Sequence, residues 1–226
     1  MKKIVYGIYG ASGFGKEVLP LVRDYVLNSS GTKEDIFFID DTSEHGEYLN
    51  HHKVLSFDDF LAIDAEEFYV SIAIANSEIR EKLTKKCHNN NIKLLNVKAR
   101  NVVELDEITI GDGAILCPFV TLTSNIRIGK CFHANIYSYV AHDCNIGDYV
   151  TFAPGVKCNG NVTIEDHAYI GTGVIIHQGK LGKPLIIGKG AVVAAGAVVT
   201  RSVPEGMTVF GNPAIEFTKE NLRRRK

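Results

Sequence analysis

The sequence predicts an α/β domain with a small, Rossmann-like parallel sheet over residues 1–95, followed by a parallel β-helix of hexapeptide repeats over residues 96–211. Two observations support this fold class. Short apolar runs alternate with helical patterns in the first part, and apolar residues recur at every sixth position in the second. The last stretch, residues 212–226, is predicted to be a C-terminal tail.

The alternation in the first part predicts three strands and three helical segments. We expect strands at residues 3–9, 36–39 and 68–75, and helical segments at residues 18–27, 57–63 and 78–90. Gly10 to Gly15 are expected to form a turn, and Ile79 and Leu83 are expected to face the core from the third helix. Right-handed crossovers between parallel strands would place these helices on the faces of the sheet.

The six-residue period predicts a triangular solenoid. Every sixth residue from Ile110 to Ile170 is apolar, and a second column four positions on, from Ala114 to Val174, is apolar except at Ser138. Each hexad then forms one flat side and three hexads form one coil of 18 residues. Residues 18 apart are expected to stack in neighbouring coils at about 4.8 Å.

Two details of the repeat predict local structure. The second hexad position holds small or turn-forming residues, so we expect positive φ there: Gly111, Gly129, Asn135, Gly147, Asn159 and Gly171. The apolar register breaks after Ile176 and resumes at Ile187, eleven residues on instead of six. Five extra residues around residues 178–184 should therefore leave the solenoid as a loop, either part of a binding face or a neutral surface loop.

Composition and charge exclude several classes of function. The net charge of −1 does not favour nucleic acid or a membrane surface as partner. No apolar stretch approaches the length of about 20 residues that a membrane-spanning helix needs. Five cysteines without a C-x-x-C pair predict reduced thiols in a cytoplasm and no zinc site. The basic run at residues 223–226 is interpreted as a solvated tail or, alternatively, as a phosphate contact.

Four segments resemble one family of enzymes. They are YGASGFGK at 9–16, FIDD at 38–41, VAHDCNIGD at 140–148, and the closing pair GAVV at 196–199 with GNPA at 211–214. Together they resemble the sialic acid O-acetyltransferase and bacillosamine-type nucleotide-sugar N-acetyltransferase family, and the resemblance covers nearly the whole chain. One departure is Thr151, where the family often has a histidine that helps to bind acetyl-CoA.

The resemblance implies fold, activity and partners. It implies that the β-helix is left-handed and that the chain forms a homotrimer with acetyl-CoA between neighbouring β-helices. No metal is expected, because His133, His142, His167 and His177 lack the close H-x4-H pair of a zinc-binding β-helix enzyme. The resemblance also implies N-acetylation of a nucleotide-linked amino sugar, such as a 4-amino-4,6-dideoxyhexose, for surface glycan or glycoprotein biosynthesis. Two alternatives remain: O-acetylation of sialic acid or another sugar, and a non-catalytic nucleotide-sugar-binding protein.

The candidate catalytic pair is His142 and Asp143. His142 is third in its hexad, between two inward positions, so it should project near a side of the prism. Imidazole exchanges protons near neutral pH, as a general base for acyl transfer must, and the adjacent carboxylate can hold its tautomer. Gly160, eighteen residues on, should lie one coil away, where its N–H could stabilise the oxyanion or the residue could simply form a corner.

The remaining site predictions concern the two substrates. For acetyl-CoA, we expect contacts along the later coils, at Gln178, Ala195, Gly196 and Arg201. For the nucleotide sugar, the turn is expected to cradle phosphate, and the two aspartates at the end of the second strand to accept from a ribose hydroxyl or a base N–H. These residues, with three more that the resemblance implies, are Gly10, Ser12, Gly13, Asp40, Asp41, Asn76, Arg80 and Asn135.

Overall fold

A computed structural model describes residues 3–42 and 47–223, and its chain divides into two compact units. The first comprises Met1–Lys98 with Asp112–Ile115, and the second Ala99–Gly111 with Leu116–Lys226. Residues 224–226 of the basic run lie outside the described residues, so the prediction about it stays a prediction.

The elements of the first unit alternate as the sequence predicts. In chain order they are β1 Ile4–Tyr9, α1 Gly13–Asn28, a 3-10 helix Lys33–Asp35, β2 Ile36–Ile39, β3 Tyr48–Leu49, β4 His52–Leu55, α2 Phe57–Leu61, β5 Glu67–Ile72, α3 Ser77–Asn89, β6 Lys93–Leu94 and β7 Val97–Lys98. Six of the strands form one sheet in the order β3-β4-β2-β1-β5-β6, parallel except for β3. Because β1 pairs with β2 on one side and β5 on the other, the topology reverses beside it, which is where open parallel sheets bind ligands.

Two predictions about the first unit are wrong in detail. Helix α1 begins at Gly13, so the turn is shorter than predicted, and within it only Gly10 has a positive φ, of 110°. In α3, Ile79 is 48% exposed and does not face the core, although Leu83 does pack against it. Arg80 is fully buried instead. Its burial is tolerated because the guanidinium Nη1 donates to the carbonyls of Ile74 and Ala75, at 2.6 and 3.1 Å.

The second unit is a β-helix of mostly short strands. They are β8 Val103–Ile110, β9 Ile115–Leu116, β10 Thr121–Ile128, β11 His133–Ala134, β12 Tyr139–Val140, β13 Asn145–Ile146, β14 Thr151–Phe152, β15 Lys157–Cys158, β16 Val162–Ile164, β17 Tyr169–Ile170, β18 Ile175–Ile176, β19 Leu185–Ile187, β20 Val192–Val193, β21 Val198–Val199, β22 Thr208–Phe210 and β23 Ile215–Glu216, with a final helix α4 Lys219–Arg223. These strands pair in parallel, except that β23 is antiparallel to β22. Strand β9 begins in the first unit and continues into the second.

The predicted stacking of residues 18 apart is confirmed. Tyr139 pairs with Lys157, and Asn145 pairs with Thr163, in parallel register. Both predicted inward columns are buried, apart from Ile110 at the start, which is half-buried. The polar member of the second column, Ser138, is satisfied in the core, because its hydroxyl donates to the Ala153 carbonyl and accepts from the Val156 N–H, each at 3.1 Å.

The predicted positive φ at the second hexad position is wrong. Positive φ falls two positions later, at the corners Gly113, Phe119, Asn125, Cys131, Tyr137, Asp143, Tyr149, Gly155, Asn161, His167 and Gly173. The second-position glycines are needed for a different reason: a Cβ on Gly129 would lie 2.8 Å from the Asp148 backbone nitrogen, and one on Gly147 would lie 2.7 Å from that of Asp166. Close approach of successive coils, rather than backbone handedness, therefore selects glycine there.

The predicted loop is confirmed by strand register. Val162 pairs with Leu185, and Ile175 pairs with Val198, so these partners are 23 residues apart instead of 18. The expelled segment is closed by backbone hydrogen bonds between Lys180 and Lys183, at 3.0 and 2.8 Å.

Candidate functional site

The predicted catalytic pair lies at the corner between β12 and β13. His142 Nδ1 is 2.7 Å from Asp143 Oδ2, and the two side chains are 48% and 43% exposed. A carboxylate only accepts hydrogen bonds, so Nδ1 is the donor, and in the neutral imidazole the lone pair is then on Nε2. The hydrogen bond from His142, helped by one from Asn125, holds the pKa of Asp143 below its ordinary value. The pair therefore has the geometry that a carboxylate-oriented imidazole base needs.

Gly160 lies against the imidazole from the next coil, as the 18-residue spacing predicts. A Cβ placed on it would be 2.5 Å from both Cε1 and Nε2 of His142. The coils are held in this register because the Asn161 N–H donates to the His142 carbonyl at 2.9 Å. Nε2 of the imidazole thus lies against the buried backbone of Gly160, which has no side chain.

Asn125 is a site residue that sequence reasoning missed. Its Nδ2 donates to Asp143 Oδ1 at 3.3 Å from the preceding coil. The available signal was its spacing, since Asn125 is 18 residues before Asp143 and stacks on it. A cavity of about 360 Å³ opens beside this pair, and its lining also includes Glu107 and Arg127.

The residues predicted to contact acetyl-CoA lie in two different regions of the β-helix. Gln178 is exposed at the start of the expelled loop, and the next residue, Gly179, donates its N–H to the Gly160 carbonyl at 2.9 Å. Ala195 and Gly196 are exposed at a different corner of the prism, between β20 and β21, and a Cβ on Gly196 would meet nothing within 4 Å. Arg201 is exposed after β21.

The predicted phosphate-binding turn follows β1 in the first unit. Gly10 donates its N–H to the Ile39 carbonyl at 2.8 Å, and Gly15 approaches it so closely that a Cβ there would be 1.9 Å from the Gly10 carbonyl oxygen. Ser12 is the exposed N-cap of α1 and its side chain makes no capping hydrogen bond. A Cβ on Gly13 would meet nothing within 4 Å, so the first turn of α1 faces open space where an anion could bind.

Asp41 is the centre of a hydrogen-bond cluster at the end of β2. It accepts from the Tyr9 hydroxyl at 2.5 Å, the Phe57 N–H at 2.9 Å and Lys86 Nζ at 3.0 Å. Partial burial would raise the pKa of Asp41, but these three hydrogen bonds outweigh it and hold that pKa below its ordinary value. Burial and the bond to Asp41 raise the pKa of Tyr9. The sequence did not single out Tyr9 or Lys86, whose partner is 45 residues away.

The other predicted substrate residues also have intramolecular partners. Asp40 accepts from Thr42 and, at 3.3 Å, from the Ala11 N–H, so it joins the ends of β1 and β2. Asn76 caps α3 by accepting from the Ile79 N–H at 3.0 Å. Asn135 Nδ2 donates to the Phe152 carbonyl at 3.2 Å. Thr151 is buried in register with His133.

Within residues 3–42 and 47–223, no three His, Cys, Asp or Glu side chains are grouped to hold a metal ion. Across these described ranges, no helix has the length and apolar character to cross a membrane.

Comparison with known proteins identifies relatives along the whole chain. Residues 6–87 match the family described as the PglD N-terminal domain. GDP-perosamine N-acetyltransferase of Escherichia coli O157:H7 is 48% identical over 215 residues, which cover 95% of this chain and 97% of the relative.

Two solved structures extend this likeness. WeeI from Acinetobacter baumannii AYE is 60% identical with a TM-score of 0.92, covering 95% of this chain and 100% of its own. The acetyltransferase domain of PglB from Neisseria gonorrhoeae FA1090, in complex with acetyl coenzyme A, is 26% identical with a TM-score of 0.81, covering 96% and 100%. The predicted fold class, a small α/β domain followed by a left-handed β-helix, is confirmed.

Proposed function

The chain belongs to the bacillosamine-type nucleotide-sugar N-acetyltransferase family of hexapeptide-repeat enzymes, and we propose that its own acceptor is a GDP-linked 4-amino-4,6-dideoxyhexose. Its activity, acetyl transfer from acetyl-CoA to the amine of a nucleotide-linked amino sugar, is confirmed as predicted. The choice of GDP-perosamine is supported by the relative that is 48% identical. The same relative is an N-acetyltransferase, which disfavours O-acetylation.

The proposed mechanism is direct attack of the sugar amine on the thioester carbonyl. His142 Nε2 takes the proton that the amine loses, and Asp143 stabilises the imidazolium that forms. The Gly160 N–H stabilises the oxyanion of the tetrahedral intermediate. When the C–S bond breaks, the imidazolium returns the proton to the CoA thiolate, leaving an acetamido sugar and CoA. The single observation that supports this assignment most is the packing of Gly160 against the imidazole of His142.

We also propose how the two parts of the chain share the work. Residues 1–95 bind the nucleotide, with Gly10, Ser12 and Gly13 near phosphate, and residues 96–211 bind acetyl-CoA and carry out the transfer. The exposed N-terminal turn of α1 supports the first assignment. Five further residues act mainly by holding the protein around the acceptor in place, and their intramolecular hydrogen bonds support this role: Asp40, Asp41, Asn76, Arg80 and Asn135.

The enzyme is proposed to act as a homotrimer in the cytoplasm. A trimer is supported by the flat sides of the β-helix. It is also supported by the position of Gly196 at a different corner from His142, because a neighbouring copy could bring its own Gly196 close to the His142 corner. A cytoplasmic location is supported by five buried cysteine thiols and by acetyl-CoA as the donor. Light scattering at micromolar concentration tests the oligomer, and a monomer there would contradict it.

The experiment that tests the acceptor compares sugars linked to different nucleotides and determines whether the transferred acetyl group is held by an amide or an ester bond. The purified enzyme is assayed with acetyl-CoA and with GDP-, dTDP- and UDP-linked 4-amino-4,6-dideoxyhexoses, and CoA thiol release gives kcat/KM. We expect the GDP-linked sugar to have the highest kcat/KM and its product to gain one acetyl group that resists mild base, as an amide does. An equal or higher kcat/KM for another nucleotide, or a base-labile acetyl group, would overturn the proposal.

A further inference from the structure

We infer that Asn125 is a positioning residue for acetyl transfer, because its side-chain amide orients the Asp143 carboxylate and, through it, the imidazole of His142. The inference rests on the proposed function. The contacts that carry it are the donation from Asn125 Nδ2 to Asp143 Oδ1 at 3.3 Å and the contact between His142 Nδ1 and Asp143 Oδ2 at 2.7 Å.

These contacts arise from one vertical column of the β-helix. Glu107, Asn125, Asp143 and Asn161 occupy the fourth hexad position in successive coils, and their φ angles are 50°, 56°, 57° and 56°. Their side chains therefore leave the backbone at the same corner. Adjacent strands hold the register, since Arg127 pairs with Asn145 two residues after the corner in each coil. The amide of one coil is thus presented to the carboxylate of the next.

Each carboxylate oxygen of Asp143 has its own donor. Rotation about the Cβ–Cγ bond of Asp143 would break the bond to His142, and the hydrogen bond from the preceding coil opposes that rotation. An ionised carboxylate can only accept, so the asparagine must present its NH₂ group. A neutral donor orients the carboxylate while leaving its charge available to the imidazolium.

The electrostatic surroundings suit a neutral amide at this position. The charged groups that line the adjacent cavity of about 360 Å³ are Glu107, Arg127 and Asp143. His142 contacts Asp143 at the same corner of the β-helix. Two carboxylates and one guanidinium already face this space. A further carboxylate at position 125 would lie beside Asp143 and favour the protonated imidazole, which is inactive as a base.

The backbone offers clean variants and a matched control. Asn125 and Asn161 both have φ near 56°, a conformation that glycine adopts without strain, so Asn125→Gly and Asn161→Gly each remove an amide at the same kind of corner. Asn161 interacts with the catalytic coil through its backbone N–H, which glycine retains. The two variants therefore differ in whether a donor to Asp143 is lost.

The experiment measures kcat, both KM values and the pH profile of kcat/KM for these variants and Asn125→Asp. We expect Asn125→Gly to lower kcat roughly three- to tenfold, the loss expected for an exposed hydrogen bond to a charged group. KM for acetyl-CoA and for the acceptor should change by less than about twofold, and Asn161→Gly should resemble the wild type. Asn125→Asp should move the acid limb of kcat/KM to higher pH.

Three results would overturn the inference: wild-type kcat in Asn125→Gly, an equal loss in both glycine variants, or an effect on KM alone. If the wild type itself transfers no acetyl group to any nucleotide-linked amino sugar, the proposed function fails instead. Nitrogen NMR of the His142 ring then still decides the inference. A single tautomer protonated at Nδ1 in the wild type and a mixture in Asn125→Gly would support it, and identical spectra would refute it.

Discussion

Gly160 occupies the space directly against His142, although 18 residues separate the two in sequence. A Cβ on Gly160 would come within 2.5 Å of the Cε1 and Nε2 atoms of the imidazole. Any larger residue at position 160 would displace the imidazole or, in the proposed mechanism, fill the place where the reacting atoms meet Nε2. Contact with the imidazole therefore explains the glycine, and backbone conformation does not, because its φ is not among the positive values.

Gly160→Ala should separate activity from stability. The clashing atoms belong to a half-exposed side chain that can rotate away, so we expect the free energy of unfolding to fall by only about 1 kcal/mol. The rotated imidazole no longer meets the substrate amine, so kcat/KM should fall on the order of 10²-fold. Steady-state kinetics and urea unfolding check both parts. Retention of wild-type kcat/KM would contradict the tight packing.

His142→Asn and His142→Ala should lose activity on the order of 10²–10⁴-fold, the usual contribution of a general base. The side chain is 48% exposed, so neither variant should lose its fold or its affinity for the nucleotide sugar. Kinetics, circular dichroism and calorimetric titration with the nucleotide sugar check this. Near wild-type kcat/KM in either variant would remove His142 from the mechanism.

Asp143→Asn should cost less than loss of the histidine. The new amide oxygen can still accept from Nδ1, but it no longer stabilises the imidazolium, so we expect kcat to lie between those of the wild type and His142→Asn. KM for acetyl-CoA should be unchanged. The comparison is a kcat series of wild type, Asp143→Asn and His142→Asn, and a larger loss for the aspartate variant would reverse the proposed roles.

Two glycines in the first turn of α1, Gly13 and Gly15, should respond oppositely to alanine. A Cβ at Gly15 would be 1.9 Å from the Gly10 carbonyl oxygen, so Gly15→Ala should destabilise the protein by about 3 kcal/mol or more. At Gly13 a Cβ meets nothing within 4 Å, so Gly13→Ala should leave the midpoint of thermal unfolding unchanged or slightly raised, because alanine favours helices.

The same pair tests phosphate binding. If the nucleotide approaches the first turn of α1, Gly13→Ala should raise KM for the nucleotide sugar while KM for acetyl-CoA stays constant. Thermal unfolding and the two KM values are measured for both variants. Equal destabilisation by the two substitutions would contradict the packing described for Gly15.

Asp41→Asn should destabilise the protein in a pH-dependent manner. Since folding lowers the pKa of Asp41, its contribution is present above the ordinary carboxyl pKa of about 4 and is lost as pH falls through the lower, folded value. We expect the variant to be less stable at pH 7 by about 1 kcal/mol or less, because the side chain is 44% exposed. The difference should shrink towards pH 3 in urea titrations, and a difference independent of pH would contradict it.

The sequence alone predicts both the β-helix and the stacking of Gly160 on His142. In a solenoid each residue contacts neighbours at a fixed sequence separation, so a period read from the apolar columns also states which residues meet in space. The same rule located the expelled loop, because five residues outside the period must leave the coil. Applied to Asp143, it would also have pointed to Asn125.

Features that depend on backbone angles and on packing between distant segments could not be predicted and are visible only in the three-dimensional structure. Positive φ occurs at the fourth hexad position, because the chain turns there. The glycines at the second position are explained by close contact between successive coils. In the α/β unit, Asp41 meets Lys86, and Arg80 turns inward to bind carbonyls at the end of β5. No fixed spacing links such partners, because the packing of helices on the sheet sets their positions.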